Sequence, residues 1–302
     1  MEKILDNTSC HCCKEGEYLS FRNIWNSKDK DLHSKKFFIY EIKDYIPNLN
    51  EAIEDSYMCL NANCKHVYRH FKKDIAAFHR DDYRKKELVE NHTNTLLSMG
   101  DEQKILKRHE RFKTALHIVK SYIKPEHDVL EVASGRGYFL GLAKNYFKSI
   151  TGMDIDPKTK IHNSQINPEV NYIVSDFNEM KETKKYDCLL AFDVLEHIEN
   201  LNSFVKKAYN LTDKYVLIQV PIGRPIIPPN AAAMENKPIY TDNAGQNVSL
   251  EFDGHLHYFT ENSLIRLFTK DNLFECSFIY KSKPKQLASG LEILAVFKKQ
   301  GD

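Results

Sequence analysis

Residues 129–141 read VLEVASGRGYFLG, and this stretch decides the fold of the chain. An apolar run typical of a buried strand meets an amphipathic, helix-like run at a glycine-rich join. Gly135 and Gly137 let the backbone turn sharply and come close to a ligand, and the helix behind them presents free N–H groups. The stretch therefore predicts a strand, a turn and a helix that hold a small molecule, the alternative being a merely tight strand-to-helix turn.

Further strands and helices alternate on either side of this turn. A helix is predicted over 101–123 and is ended by Pro125, and short apolar runs then alternate with helical or loop segments. The predicted strands are 127–132, 149–154, 171–176, 186–192 and 215–220, followed by a helix over 262–273 and strands over 274–280 and 291–299. This order predicts an α/β fold with a parallel sheet covered on both faces. The last two strands, joined by a short turn-like linker, are predicted to be antiparallel neighbours.

Acidic residues stand at the carboxyl ends of successive predicted strands. Asp154 lies 19 residues beyond Gly135, where an acid can accept hydrogen bonds from both hydroxyls of a ribose. Asp176 ends the third strand, where it can accept from an adenine amino group, and Phe177 can flank the base. Singly, each acid is more often an ordinary strand-end or capping residue. Together they predict a nucleoside-containing ligand.

As a set, these residues resemble the motifs of class I S-adenosylmethionine-dependent methyltransferases, over roughly residues 105–299. The resemblance implies a Rossmann-like seven-stranded sheet whose last strand is inserted antiparallel, and S-adenosyl-L-methionine as the methyl donor. It also implies that Glu131 faces the amino group of the ligand and that the Gly135–Gly137 turn wraps its methionine part. Ala133 replaces the usual glycine. The cofactor-binding residues implied are Glu131, Ala133, Gly135, Gly137, Asp154, Ile155, Asp176, Phe177 and Phe192.

Two segments offer groups for the methyl acceptor, DVLEHI (193–198) and EFDGHLHYFT (251–260). A hydroxyl acceptor must lose its proton, and histidine is the side chain whose ordinary pKa lies close to cytoplasmic pH. His257 is the first candidate for this base, with His255 and His197 behind it. The alternative is a purely structural role. The segment LEHI is common in this methyltransferase family without any metal, and its glutamate and histidine would then only cap and pack the end of the fourth strand.

The same cluster also resembles the E-x-x-E-H motif, with a distant histidine, that some O-methyltransferases use for a divalent metal. Asp193 takes the place of the first glutamate and shortens that arm. The predicted second metal site consists of Asp193, Glu196, His197 and His257. A metal there would clamp a vicinal diol and lower the pKa of a hydroxyl.

The long segment 221–254 lacks clear periodicity and is predicted to be a lid or binding loop over the acceptor. The segment GHLHYFTENSLIRLF (254–268) resembles the corresponding region of bacterial methyltransferases encoded with glycan and secondary-metabolite pathways. This resemblance favours O-methylation of a saccharide or sugar-like metabolite, and so a small-molecule or glycan acceptor.

Five of the seven cysteines fall within the first 64 residues, which indicates metal binding rather than disulfides in a reducing compartment. Two close pairs, Cys10 with Cys13 and Cys59 with Cys64, are predicted to hold a structural zinc ion. Cys12, His11 and His66 are possible substitutes as ligands, and unpaired free cysteines are the alternative. The pattern resembles the small zinc ribbon that precedes some sugar and natural-product methyltransferases.

The predicted domains are a zinc-ribbon-like module over 1–75, a helical linker over 76–104 and a methyltransferase domain over 105–302. The net charge of +1 predicts no general affinity for nucleic acid. With neither a signal-like segment nor an apolar run of about 18 residues, the chain is expected to be cytoplasmic and to have no membrane partner.

Two rival functions remain open. In the first, the enzyme methylates RNA, and the segments KHVYRHFKK (65–73) and HRDDYRKK (79–86) form a basic, aromatic-bearing surface. In the second, the chain is a non-catalytic, cofactor-binding subunit of a methyltransferase complex.

Overall fold

Eleven strands are present in the part of the chain that the structure describes. The computed structural model describes residues 10–14, 18–21, 53–59, 61, 63–64, 66–71, 99–181, 183–221, 255–281 and 292–301. The strands are β1 (Tyr18–Phe21), β2 (Ile53–Cys59), β3 (Val67–Phe71), β4 (Asp128–Val132), β5 (Ser149–Asp154), β6 (Asn171–Val174), β7 (Tyr186–Phe192), β8 (Thr212–Pro221), β9 (His257–Tyr258), β10 (Phe274–Lys281) and β11 (Glu292–Lys299). The helices are α1 (Met99–Tyr122), α2 (Tyr138–Ala143), α3 (Pro157–Ile166), α4 (Leu201–Leu211) and α5 (Glu261–Thr269), with a 3-10 helix at Leu195–His197.

Seven strands form the main sheet, in the order β10-β11-β8-β7-β4-β5-β6. The five strands from β8 to β6 are parallel, and β11 runs antiparallel to both of its neighbours. The predicted α/β fold is therefore confirmed, including the antiparallel pair at the end of the chain and the insertion of the last strand. The order reverses at β4, so its carboxyl end faces the crevice where such sheets bind ligands.

The central strands of the main sheet are buried on both faces, as the continuous apolar runs predict, whereas the edge strands β6 and β10 are partly exposed. Along β7, Leu189 and Ala191 pack on the side of α4 and α5, whereas Cys188, Leu190 and Phe192 pack on the side of α1 and α2. Both faces thus exclude water, and the polar groups that carry chemistry are left at the strand ends.

Local signals explain where two of the helices begin. The Asp156 side chain accepts a hydrogen bond from the Lys158 backbone N–H, and Pro157 occupies the first turn of α3, where its missing N–H costs nothing. Thr260 and Ser263 form a capping box at the start of α5. No helix among the described residues is both long and apolar enough to cross a membrane.

A second, four-stranded antiparallel sheet has the order β1-β2-β3-β9. Its first three strands come from the cysteine-rich segment, but β9 follows the long 221–254 segment. The predicted module over 1–75 thus shares a sheet with the predicted methyltransferase domain. Within the predicted linker over 76–104, residues 76–98 lie outside the described residues, as do residues 222–254 of the predicted lid.

Candidate active site

The turn between β4 and α2 is built from backbone in the left-handed region. Ala133, Gly135 and Gly137 have φ values of 51°, 54° and 71°. A Cβ on Gly137 would lie 1.7 Å from Oδ1 of Asn163, so only glycine fits there. Ala133 adopts the glycine-like conformation without being a glycine, at a cost of roughly 1–2 kcal/mol. The predicted sharp turn is therefore present at the predicted residues.

Polar side chains from α3 and β6 hold this turn in place. Nδ2 of Asn163 donates to the Gly135 carbonyl at 2.9 Å, and Nδ2 of Asn167 donates to the Gly137 carbonyl at 3.1 Å. The Tyr172 hydroxyl also donates to the Gly135 carbonyl, at 3.3 Å. Sequence reasoning missed these supporting residues. Their one signal in the sequence is the spacing of Asn163 and Asn167 by four residues, the first within α3 and the second just after it.

Asp154 lies at the carboxyl end of β5 and faces the turn. Its Oδ2 accepts from the Gly135 N–H at 2.9 Å, and its Oδ1 accepts from the Asp156 N–H at 3.0 Å. A carboxylate has about four acceptor sites, so each oxygen keeps capacity for a further donor such as a ribose hydroxyl. Ile155, next in the chain, is partly buried between these contacts.

Glu131 lies on β4, beneath the turn, and is only 3% exposed. Burial, and to a smaller degree the nearby Asp154, raises the pKa of its carboxyl well above the ordinary value. An ammonium group bound beside Glu131 would offset this cost by pairing with the charged form. That electrostatic environment fits the predicted contact with the amino group of the methyl donor.

The remaining predicted cofactor residues occupy two kinds of position. Asp176 is partly exposed at the end of β6, and its Oδ1 accepts from the Asn178 N–H at 2.8 Å. The rings of Phe177 and Phe192 are buried instead, packing against Phe204 at 4.8 Å and Phe139 at 4.6 Å between centroids. These two aromatic side chains thus form part of the core beneath the crevice.

A buried ionic network crosses the carboxyl ends of β7 and β8. Arg111 of α1 is 8% exposed, pairs with Asp193, and places its Nε 2.8 Å from Oε1 of Glu292. Nε2 of Gln219 donates to the other oxygen of Glu292 at 2.6 Å. Burial opposes the charge on Arg111, but Asp193 and Glu292 outweigh it and raise the pKa of the guanidinium. Asp193 has φ 55°, a strained conformation that often marks functional sites.

Sequence reasoning missed Arg111, Gln219 and Glu292, although each left a signal. Arg111 lies four residues before Ala115 on the apolar face of the predicted helix, and the other two interrupt apolar strands. Charged residues are almost never fully buried unless they are paired, so polar residues on core-facing positions indicate partners elsewhere in the chain. The identity of those partners depends on the tertiary fold.

A carboxylate and two histidines come together beyond β7. Ligand atoms of Glu196, His197 and His255 lie within 4.8 Å of one another, and the two imidazole rings meet edge to face at 4.7 Å. Glu196 is buried, whereas both histidines are partly exposed. Of the predicted second metal site, the structure thus brings together Glu196 and His197, joined by His255. Asp193 is instead paired with Arg111.

His257 occupies a different environment from the one expected for a base. It is 2% exposed, its Nε2 lies 2.8 Å from the Ile198 carbonyl, and its Nδ1 lies 3.2 Å from Nε2 of His66. Burial, followed by the influence of His66 and His11, lowers the pKa of His257 well below its ordinary value. Both ring nitrogens of His257 are therefore engaged within the protein, whereas His255 and His197 are partly exposed.

The four predicted zinc ligands form one buried cluster. The Sγ atoms of Cys10, Cys13, Cys59 and Cys64 lie within 4.8 Å of one another. Cys10 and Cys64 are 3.8 Å apart, and Cys13 and Cys59 are 3.6 Å apart. A tetrahedral site with Zn–S bonds of about 2.3 Å separates its sulfurs by about 3.8 Å, whereas a disulfide needs about 2.05 Å. The cluster therefore fits a tetrahedral metal.

The other candidate ligands surround this cluster without joining it. Cys12 is fully buried, and burial is the main cause that raises the pKa of its thiol. Hydrogen bonding from Cys12 first, and then from Cys59 and Cys64, lowers the pKa of Cys10. Burial, and then His66, lowers the pKa of His11 to about 4. Four thiols thus complete the cluster without Cys12, His11 or His66.

Comparison with known proteins defines the class of the chain. Residues 105–274, more than half of the sequence, match the methyltransferase domain family, and the chain belongs to that family. Together with the crevice just described, this makes the protein an S-adenosylmethionine-dependent methyltransferase. No curated protein matches the chain.

Solved structures agree with the fold. Magnesium protoporphyrin IX methyltransferase from Synechocystis PCC 6803, with bound S-adenosylmethionine, is 13% identical, with a TM-score of 0.52 over 76% of this chain and 98% of that one. Its complex with S-adenosylhomocysteine superimposes with a TM-score of 0.51, at 13% identity over 74% and 97% of the two chains. The N-methyltransferase NodS from Bradyrhizobium japonicum is 14% identical, with a TM-score of 0.47 over 65% and 97%.

Proposed function

We propose that this methyltransferase O-methylates a saccharide or sugar-like metabolite. The observation that carries the proposal is the group of hydrogen-bond acceptors just beyond β7, where Glu196, His197 and His255 meet. Carboxylate and imidazole groups receive hydrogen bonds from hydroxyls, and the neighbouring cation, Arg111, is buried and already paired with two carboxylates. Such a surface suits a neutral ligand rich in hydroxyl groups better than an anionic one.

In this proposal the protein aligns the acceptor and removes its proton. The resemblance to the family assigns the ribose to Asp154 and the amino group to Glu131, so these two residues would bind and orient the methyl donor. His255 or His197 accepts the hydroxyl proton as the acceptor oxygen bonds to the methyl carbon and the carbon–sulfur bond breaks. The products are the methyl ether, S-adenosylhomocysteine and a protonated histidine.

A second version of the chemistry uses a divalent metal at Glu196, His197 and His255. Two imidazoles and a carboxylate are suitable ligands, and their closeness supports the site. A metal there would lower the pKa of a bound hydroxyl. Chelation would then abolish methyl transfer, and magnesium or manganese would restore it, whereas with a histidine base added magnesium or manganese would make no difference.

We also propose that Cys10, Cys13, Cys59 and Cys64 hold a structural zinc ion. Their spacing fits tetrahedral thiolate coordination, and a small, polar segment gains its folding free energy from such a metal. Protein purified without chelator should carry about one zinc per chain, and Cys59→Ser should lose it while the seven-stranded sheet stays folded. Metal-free protein with an intact circular dichroism spectrum would contradict this assignment.

A screen for labelled methyl tests the acceptor class. Purified enzyme and methyl-labelled S-adenosylmethionine are added to fractionated metabolites and, separately, to total RNA. Label in a neutral, hydroxyl-rich fraction, as an ether stable to mild base, supports the proposal. Label in RNA would favour the rival function, whose basic segments lie mostly outside the described residues. Binding of S-adenosylhomocysteine without transfer to any fraction would favour a non-catalytic subunit.

A further inference from the structure

The segment from His255 to Thr260 lies between the cysteine cluster and the exit of β7. On one side, β9 pairs with β3, with Tyr258 opposite Val67 and His257 opposite Tyr68. On the other side, the Leu256 N–H donates to the Glu196 carbonyl at 2.6 Å. This six-residue segment is therefore fixed from both directions.

Further contacts of side chains and backbone connect this segment to the cysteine cluster. The Thr260 hydroxyl donates to the Cys64 carbonyl at 2.7 Å, and the Cys59 N–H donates to the His66 carbonyl at 2.9 Å. The ring of His11, between two of the clustered cysteines, meets the ring of His257 edge to face at 5.6 Å. The position of the segment from His255 to Thr260 thus depends on the folded cysteine cluster.

His257 is the side chain that joins the two sides. A carbonyl can only accept, so Nε2 of His257 carries the hydrogen that it donates to Ile198, one residue beyond His197. Its Nδ1 meets Nε2 of His66, two residues beyond Cys64, and the two rings stack at 5.2 Å. One buried imidazole therefore bridges the cysteine cluster and the chain that carries Glu196 and His197.

His255 is held at the acceptor end of the same segment. It stands two residues before His257, with Leu256 anchored to Glu196 between them, and its ring contacts His197 at 4.7 Å. A shift of the segment would therefore move His255 relative to His197. By contrast, the contacts of the cofactor turn come from α3, β5 and β6, and among the described contacts of that turn none involves the cysteine cluster.

We propose that His257 is a positioning residue through which the folded cysteine module fixes His255 against His197 at the acceptor side. The proposal rests on the proposed function only in treating these two histidines as acceptor-facing groups. It predicts that the state of the cysteine module governs acceptor geometry and leaves cofactor affinity unchanged.

The test uses the full chain with ¹³C-labelled histidine, saturated with S-adenosylhomocysteine. His257→Leu removes both polar contacts, whereas His257→Gln keeps an amide N–H near the place of Nε2. His127→Leu is the matched control, because His127 is also buried but precedes β4 at the amino end of the strands. Ring resonances of His197 and His255, assigned from single substitutions, report their positions, and zinc content and the dissociation constant of S-adenosylhomocysteine are measured in parallel.

We expect His257→Leu to shift both ring resonances, with zinc retained and the dissociation constant within about twofold of wild type. His257→Gln should return the resonances part of the way, and His127→Leu should leave them in place. In the fraction that accepts label from wild type, His257→Leu should slow transfer by roughly 10²-fold, the cost of about 1 Å of misplacement.

Unchanged His197 and His255 resonances in His257→Leu would overturn the proposal. Loss of zinc or of S-adenosylhomocysteine binding in the same variant would also overturn it, because the role would then be general stability. Failure of the proposed function looks different, since the resonances would still respond to His257 while wild-type enzyme labelled no hydroxyl-bearing metabolite.

Discussion

The two halves of the crevice are assembled in different ways. The predicted cofactor half, apart from Phe192, comes from one continuous stretch, residues 131–177, in which strand ends and a glycine turn follow one another at regular spacing. The proposed acceptor half combines Arg111, the 193–198 segment, Gln219, the 255–260 segment and Glu292, and its 255–260 segment contacts the cysteine-rich start of the chain. The proposed site for the methyl donor is therefore encoded in local sequence, whereas the proposed acceptor site depends on long-range contacts.

The largest expected effect separates these halves at His255. If His255 is the base, His255→Ala should lower turnover by on the order of 10²–10⁴, because the acceptor hydroxyl then keeps its proton as the methyl approaches. Affinity for S-adenosylhomocysteine should stay unchanged, since the contacts of the cofactor turn come from α3, β5 and β6. Single-turnover transfer of labelled methyl, together with calorimetry, checks both parts.

His197→Ala provides the comparison for this variant. A smaller loss than for His255→Ala identifies His255 as the base, and the reverse order identifies His197. Full turnover in both variants, and in the chelated enzyme, would mean that alignment alone carries the reaction.

The ionic network gives the next effect, on the stability of the acceptor half. Arg111→Met removes the cation that lies 2.8 Å from the buried carboxylate of Glu292, and breaking a buried pair in this way costs about 3–5 kcal/mol. Urea denaturation should show that loss in the free energy of unfolding. The double variant Arg111→Met with Glu292→Gln also removes the negative charge that Arg111 balanced, and it should recover most of the lost free energy of unfolding. An unchanged midpoint in the single variant would contradict the pairing.

The cofactor half is tested at Asp154. Asp154→Ala removes up to two charge-assisted hydrogen bonds to ribose, each of about 1.5–3 kcal/mol. Affinity for the methyl donor should therefore fall roughly tenfold or more, as measured by calorimetry. Asp154→Asn, which keeps one acceptor oxygen, should lose less. A wild-type dissociation constant in Asp154→Ala would defeat the ribose assignment.

The same difference between the two halves explains which features could be predicted from the sequence. The parallel sheet, the antiparallel pair at the end of the chain and the Gly135–Gly137 turn were predicted from local periodicity and spacing, whereas the insertion of the last strand was implied by the resemblance to the family. Close association of the four cysteines followed from thiol chemistry, although their shared sheet with β9 did not. His257 was predicted as the base, but its environment depends on His66, which is 191 residues away in the chain. Spacing alone predicts that His255 and His257 point the same way on an extended strand. It does not predict which of the two contacts the cysteine-rich segment.

The smallest expected effect concerns Ala133, which replaces the glycine that is usual at this position in the family motif. Ala133 is exposed and has φ 51°, so its methyl group pays the left-handed penalty without gaining burial. Ala133→Gly relieves roughly 1–2 kcal/mol of strain but adds backbone entropy to the unfolded chain, worth about 0.5–1 kcal/mol. The net change should be a gain of about 0–1.5 kcal/mol in the free energy of unfolding, with affinity for S-adenosylhomocysteine equal to or better than wild type. Ala143→Gly, in the buried part of α2, is the matched control and should destabilise by about 1 kcal/mol or more. If both glycine variants lose the same stability, the backbone of Ala133 is not strained, and its positive φ carries no penalty in this turn.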